Sequence, residues 1–290
     1  MAEQGTVNPW VVGSSPTSPA MKIYEISSFE DIDIEDCLNE FKTSGLFLFR
    51  GYDMSHEEQI KIMQAIADRF DWTPGKEKKV FSRYTENHNT NMSNLDRKKM
   101  KYEILISWHM EHIGLKNPAI GASWNMRKFN CSPEAGKTLF CDGVELCAAL
   151  DKETLDFLEK CEFIWRPPNA THLEHIQLEP IRKHEITGLP MVYLPAMKIN
   201  GFGEYLHTYD GEEPSTEQKA TFESINDAIW TDMYSNSSIH ITQKWAQYDV
   251  IFVDLTRMYH AVTGGFSEDE REFSGVWAFD DFSSALDNIG

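Results

Sequence analysis

Residues 250–279 read VIFVDLTRMYHAVTGGFSEDEREFSGVWAF. The run from Val250 to Leu255 is apolar and strand-like, Gly264-Gly265 is a turn signal, and 272–279 is strand-like again. Working outward, the same reading predicts strands over 21–26, 104–110, 121–129, 138–141, 191–194 and 239–245. Gly45-Leu-Phe-Leu-Phe-Arg50-Gly51 is a short apolar run between glycines, read as a buried strand. Helical patterns interrupt these strands. One spans 29–41 and stops at Ser44-Gly45. Another follows the capping-box signature of Ser55 and Glu58, with Ile60, Met63, Ala67 and Phe70 at helical spacing. A third covers 142–160. The last begins at Ser215 and carries Phe222, Ile225, Ile229 and Met233 on one face. The expected fold is mainly β with flanking helices (α+β), a double-stranded β-helix or jelly roll. No internal repeat and no second linker divides it. The expected organisation is a Gly/Ser/Pro-rich arm over 1–20 and a single domain over 21–290.

Composition limits the partners. The chain has 290 residues, 41% hydrophobic and 12% aromatic, enough for a large core. Its 46 acidic residues against 27 basic ones give a net charge of -19. A surface that negative repels phosphate backbones and anionic headgroups, so neither nucleic acid nor membrane is expected as a partner. No apolar run reaches the roughly 18 residues of a bilayer span. The five cysteines (Cys37, Cys131, Cys141, Cys147, Cys161) form no C-x-x-C pair, and the N-terminal residues lack a signal-peptide pattern. A reducing cytoplasm and a small-molecule substrate are the expectation. Oligomeric state is not legible.

The chemistry is read from the histidines. His109 and Glu111 lie at the end of a predicted strand, where residues i and i+2 share a face. His260, after the 250–255 run, supplies a third donor. Two histidines and one carboxylate on one face of a metal are the facial triad of non-heme Fe(II) oxygenases, which leaves three positions open. Arg271 follows His260 by eleven residues, across the glycine turn. A strand, a turn and a returning strand would bring its guanidinium beside the metal, placed to grip a carboxylate in a two-pronged contact. The set suits a dicarboxylate that chelates at one end and is anchored at the other. Two other classes fit the same donors: a zinc hydrolase, since zinc also accepts His2Glu, and a catalytically silent jelly-roll binding protein. Cys131-Ser-Pro-Glu-Ala-Gly-Lys-Thr138 imitates the end of a P-loop, but a strand-like segment follows where a phosphate site needs a helix. His112 is read as structural or substrate-facing, and the pair His172 and His175 as a solvated polar patch.

On these residues the sequence resembles the taurine dioxygenase/clavaminate synthase-like family of Fe(II)- and 2-oxoglutarate-dependent oxygenases, over about 45–279. Trp108-His109-Met110-Glu111 is similar to its W-H-x-D/E metal motif. Pro133 to Asp142 resembles P-x-G-G-x-T-x-F-x-D, His184-Glu-Ile-Thr-Gly188 with Tyr193-Leu-Pro195 resembles H-P-x-T-G and the next strand, and Trp245 to Asp249 with Asp254 and His260 resembles W-x-x-G-D…D-N…H. The resemblance implies a dioxygenase with Fe(II) on His109, Glu111 and His260. It also implies 2-oxoglutarate on Arg271 and Thr138, with O2 as the second cosubstrate. Succinate and CO2 would be released as a small organic substrate is oxidised, most simply by hydroxylation. The glutamate ligand is that of the clavaminate-synthase-like branch, which favours amino acids and their derivatives. A retained carboxylate argues against a halogenase. Ala135, Tyr248 and Ala261 replace common glycines, and the family's second arginine, four residues after the first, is Gly275 here. Residues 83–101 and 193–210 are the candidate lid and pocket wall, with Arg83 or Lys101 available to an anionic group.

Overall fold

A computed structural model describes residues 21–70, 79–83, 104–111, 119–165, 176–194, 204–235, 239–267 and 270–279. The arm over 1–20 and the 84–101 part of the candidate lid lie outside the described residues. The strands, in order, are β1 (Lys22–Glu25), β2 (Leu46–Arg50), β3 (Lys79–Arg83), β4 (Ile104–His109), β5 (Ala119–Phe129), β6 (Thr138–Asp142), β7 (Cys161–Trp165) and β8 (Ile176–Leu178). They continue as β9 (Ile181–Lys183), β10 (Pro190–Val192), β11 (Glu204–Tyr209), β12 (Ile241–Gln243), β13 (Val250–Asp254), β14 (Met258–Thr263) and β15 (Arg271–Phe279). Among the described residues five α-helices accompany them: α1 (Ile34–Ser44), α2 (His56–Arg69), α3 (Gly143–Ala149), α4 (Lys152–Leu158) and α5 (Thr216–Ser235). The outcome is a sheet-rich fold with flanking helices.

Two sheets organise it. One has the order β1-β2-β13-β5-β15-β3, the other β12-β6-β14-β4. Strand parity shows which residues lie between them. In the larger sheet Leu46, Leu48, Ala122, Met126, Ile251, Val253 and Phe279 share one core with Phe140 and Met258 of the smaller sheet. The alternate residues Phe47, Phe49, Val250, Phe252, Val276 and Ala278 face the opposite way, into a core with α1 and α2. Behind the smaller sheet, Trp108, Cys141, Tyr259 and Ala261 pack with residues of α3, α5 and β7. Each strand of the inter-sheet core therefore divides its side chains between two buried layers, as a pleat of period two requires.

The opening stretch is more elaborate than a strand, a turn and a return. β13 and β15 both flank β5 in the larger sheet, whereas β14 pairs with β6 and β4 in the smaller one. The chain thus crosses between sheets twice in thirty residues. Met258–Thr263 carries no apolar/polar alternation because nearly all of it is buried, and this hid the middle strand.

Helix limits follow local chemistry. Residues 29–41 are not one helix: Phe29–Asp31 is a 3-10 turn, and Asp33 caps α1 by accepting from the Asp36 N–H. Gly45 closes α1 at φ 73°, the left-handed conformation that favours glycine. The capping box of Ser55 and Glu58 opens α2 as expected. The face that α2 buries is Ile62, Met63, Ile66 and Ala67, with Ile60 and Phe70 only half-buried at its margins. Residues 142–160 divide at Asp151, whose carboxylate caps α4. Phe222, Ile225, Ile229 and Met233 are buried along α5 as expected. Tyr248 adopts φ 69°, a glycine-like conformation, at a strain of about 1–2 kcal/mol.

The crossing from β13 to β14 is pinned by charge. Arg257, 3% exposed, donates through Nε to Asp142 Oδ1 at 2.7 Å and pairs through Nη2 with Oδ2. The same carboxylate caps α3, accepting from Val144 N at 2.8 Å. Arg257→Met would leave that carboxylate buried without its cation, and the expected loss of stability is about 3–5 kcal/mol. Arg257→Met combined with Asp142→Asn keeps a capping side chain without the charge and should recover at least half of the loss. Urea unfolding midpoints of the two variants check this. Equal loss in both would show that the ion pair does not pin the crossing.

Candidate functional site

The antiparallel register of β14 against β4 sets His260 opposite His109. Their ring centroids are 4.1 Å apart at an interplanar angle of 54°. β4 ends at His109, so Glu111 sits in the turn that follows and not on the strand, a correction to the shared-face expectation. The turn still brings its carboxylate back. Glu111 Oε1 lies 3.9 Å from His109 Nε2 and 3.6 Å from His260 Nε2. One donor atom from each of the three residues lies within 4.8 Å of the others, a group that could hold a metal ion.

The electrostatics suit that use. Burial drives the His260 imidazole down from its ordinary 6.5 to about 4, helped by the adjacent His109. A neutral imidazole keeps a lone pair for a metal. Burial alone would raise the Glu111 carboxyl. Hydrogen bonding and charge from His109 and His260 outweigh it and hold Glu111 well below the usual carboxylate range. At neutral pH the cluster therefore offers the neutral imidazole of His260 beside His109 and one ionised carboxylate. Trp124 of β5 faces His260 across the inter-sheet space, with ring centroids 5.1 Å apart, and Phe140 lies 6.3 Å away.

Thr138 of β6 and Arg271 of β15, from the facing sheet, form a second polar group. Thr138 pairs with Val262, and Phe140 with His260. Thr138 is thus two residues, about 7 Å, from the His260 row and on the same face as Phe140. Its Oγ1 accepts from Trp245 Nε1 at 2.9 Å and, at a long 3.5 Å, from Arg271 Nη2. Its own O–H remains to donate. Arg271 is 3% exposed, and its Nε has no hydrogen-bond partner. No described carboxylate pairs with it. The guanidinium carbon lies 4.3 Å from the Phe273 ring centre and 5.0 Å from that of Phe266. Burial pushes Arg271 down to about 9. A buried cation without an anion is a costly arrangement, and a carboxylate delivered by a ligand would relieve it.

The segments singled out by sequence converge on this frame. Asp249 takes a two-pronged contact from Arg50, at 2.8 Å and 2.7 Å. His184 lies 3.1 Å from Asp254 and holds its own turn through Thr187 at 3.0 Å. Residues 138–142 form a strand with no helix at the P-loop-like Gly136-Lys137-Thr138, which removes the phosphate reading. Trp108 and Trp245 are buried in the core. Trp124 and Trp277 are only half-buried, on the inner face, with Trp124 beside His260. Their parity with Ala122 and Phe279 was the available signal. In the second-arginine position, a Cβ on Gly275 would come within 2.4 Å of the Trp277 ring. His112, His172, His175 and residues 195–203 lie outside the described residues, as does Lys101; Arg83 ends β3.

The model of the taurine catabolism dioxygenase TauD, TfdA family matches residues 14–277. Among curated proteins there is no significant sequence match. The chain is similar in fold to a structure assigned as an alpha-ketoglutarate dependent 2,4-D dioxygenase from Burkholderia xenovorans. That match has TM-score 0.63 and 13% identity, over 92% of this chain and 96% of that one. A taurine dioxygenase from the same organism aligns at TM-score 0.59 and 14% identity, over 91% and 88% of the two chains. AAD-2 in complex with Mn(II) and N-oxalylglycine aligns at TM-score 0.59 and 14% identity, over 88% and 93%.

The buried histidine gives the metal-free protein a specific acid sensitivity. Above pH 6.5 His260 is neutral whether folded or unfolded. As pH falls from 6.5 toward 4, the unfolded chain takes up a proton that the folded chain refuses. Stability should therefore decline across that window, by at most about 3 kcal/mol from this residue. Urea midpoints measured from pH 7 to pH 4.5 should fall less steeply in His260→Asn than in the wild type. Identical slopes would refute the assignment of a buried neutral imidazole.

Proposed function

The chain belongs to the taurine catabolism dioxygenase TauD, TfdA family, and from that premise we propose that it oxidises a small organic substrate using Fe(II), O2 and 2-oxoglutarate. One substrate C–H becomes C–OH while 2-oxoglutarate is converted to succinate and CO2. The observation that carries this reading is Arg271: a buried guanidinium without a carboxylate partner among the described residues, reaching Thr138 two residues along β6 from the partner of His260 in the His–Glu–His cluster. A zinc hydrolase would leave that cation without a role.

His109, Glu111 and His260 would hold the iron. Two imidazoles and a carboxylate on one side are its facial donor set, and the opposite side stays open to the two cosubstrates. When bound, the metal supplies oxygen activation that no side chain here provides. The chain's own contribution is placement. Arg271 and the Thr138 hydroxyl bind the distal carboxylate of 2-oxoglutarate in charge-assisted contacts. The spacing of about 7 Å along β14 and β6 then turns its keto-acid end toward the histidines. Trp124 and Phe140 exclude water on the side of His260. The two facing sheets are the double-stranded β-helix, or jelly roll, of a single domain from residue 21. We place it in a reducing cytoplasm, with a small molecule such as an amino acid or derivative as substrate. Nucleic acid and membrane have no part in it. All five cysteines are free, and no helix of the described residues is long and apolar enough to cross a membrane.

His109→Ala should abolish both the visible Fe(II)–2-oxoglutarate charge-transfer band and succinate formation in the absence of substrate. Persistence of either would remove His109 from the ligand set. Arg271→Met should retain Fe(II) binding but raise the 2-oxoglutarate concentration needed for the band by about 30-fold or more. An unchanged requirement would exclude Arg271 as the anchor. Oxygen uptake that ignores 2-oxoglutarate would exclude the whole reading.

A further inference from the structure

The inner wall across from the histidines carries a preference that neither the metal donors nor Arg271 explain. Trp124 and Gly275 are direct partners across β5 and β15, and Trp277 pairs with Ala122, one step further along the same face. The Trp277 ring folds back over Gly275, so closely that a Cβ there would meet ring carbons at 2.4, 2.7 and 3.1 Å. That places the Trp277 indole beside Trp124, whose own ring is 5.1 Å from the ring of His260 and stacks on Phe140 at 6.2 Å and 18°. Phe140, Met126, Val253 and Phe279 around them are fully buried, whereas both indoles keep part of their surface accessible. The result is an aromatic wall that runs from His260 to Gly275.

Its charge is as informative as its shape. Among the described residues, Arg271 is engaged with Thr138 and Glu111 is drawn to the two histidines, while the buried carboxylates of Asp142 and Asp249 are already paired with Arg257 and Arg50. An indole face is electron-rich and gives an anionic group nothing to pair with. A cation would be attracted to the same ring faces, so the charge of the wall discriminates against anions alone. An uncharged flat group loses little on leaving water and gains the ring contact.

We propose that Trp124 and Trp277 form the specificity wall of the site and receive an uncharged aromatic or similarly flat group of the substrate, close to the metal donors. This rests on the oxygenase reading for where substrate sits. A compound whose group at this position is a sulfonate is selected against. Gly275 is the enabling residue, because any side chain there would displace the Trp277 ring.

The test uses the full chain loaded with Mn(II) and 2-oxoglutarate, so that binding is read without turnover. Two probes share a hydroxyethyl arm: 2-phenylethanol and isethionate. Titration calorimetry should show 2-phenylethanol binding about ten-fold or more tightly than isethionate. That preference should vanish in Trp277→Ala and persist within about three-fold in Trp277→Phe, with melting temperature and circular dichroism confirming that both variants fold. Isethionate binding as tightly as 2-phenylethanol would overturn the proposal. So would absence of 2-phenylethanol binding, or a preference that survives Trp277→Ala. The affinity for 2-oxoglutarate, measured on the same protein, separates the two readings. Its loss with the phenyl preference intact removes the cosubstrate assignment, whereas its retention without the preference removes only the wall.

Discussion

The register of one strand governs the rest. β14 lies between β4 and β6, and this single placement sets His260 opposite His109 on one side and Phe140 on the other. Side chains alternate along a strand, so a slip of one residue would turn His260 into the outer core and bring Tyr259 or Ala261 inward. The forces that prevent this come from outside the site. Tyr259 is buried on the opposite face, where its hydroxyl donates to Val192 O at 3.0 Å and accepts from Leu194 N at 2.9 Å. Arg257, immediately before the strand, is held on Asp142. A buried phenol and a buried ion pair thus fix which residues of β14 see the inter-sheet space. Polar pairs are weak sources of net stability, and setting a register is the use best attested for them.

The exterior and the site carry opposite charge. The chain's -19 describes a solvated surface, while the interior offers, in Arg271, a buried cation with no carboxylate partner among the described residues. An anionic cosubstrate approaching this protein is repelled at long range, within about a Debye length of 8–10 Å. It is attracted only once it is inside. The low dielectric that makes Arg271 costly when alone also makes its contact with a carboxylate strong. The acidic composition is therefore no argument against an anionic ligand. It concerns partners that meet the surface, and the site is reached past that surface.

The parts that were legible in sequence are those whose chemistry is local. The capping box of α2, the apolar stripe of α5 and the buried run of β2 each announce themselves within a dozen residues. His109, Glu111 and His260 were legible as donors because their residue types are restrictive, and Arg271 because a turn signal precedes it. What failed was period and partition. β14 is buried on both faces and so shows no alternation. β7 and β11 pair only with each other and β8, through contacts far apart in the chain. Glu111 was assigned to a strand that stops two residues earlier, because strand ends depend on where a partner strand ends. Trp277 could be read as core from its type, but its position over Gly275 required the cross-strand pairing of β15 with β5.

That pairing also changes how the departures from the family pattern are understood. Tyr248 shows one kind of departure: the backbone keeps a conformation suited to glycine, and the side chain is tolerated at a cost in strain. Gly275 shows the reverse, where a side chain has been removed and a neighbouring ring fills the space. Aromatic cover of a glycine on a sheet restores the packing that the missing side chain would have supplied. The exchange is nearly neutral for the fold, since one half-buried group replaces another against the same strands. It is not neutral for the site. A long cationic side chain on this face would carry charge to the wall that Trp124 and His260 share, and an indole carries none. A substitution that leaves the sheet intact while reversing the electrostatics of its inner wall bears on what can bind, and it leaves the metal donors and Arg271 untouched.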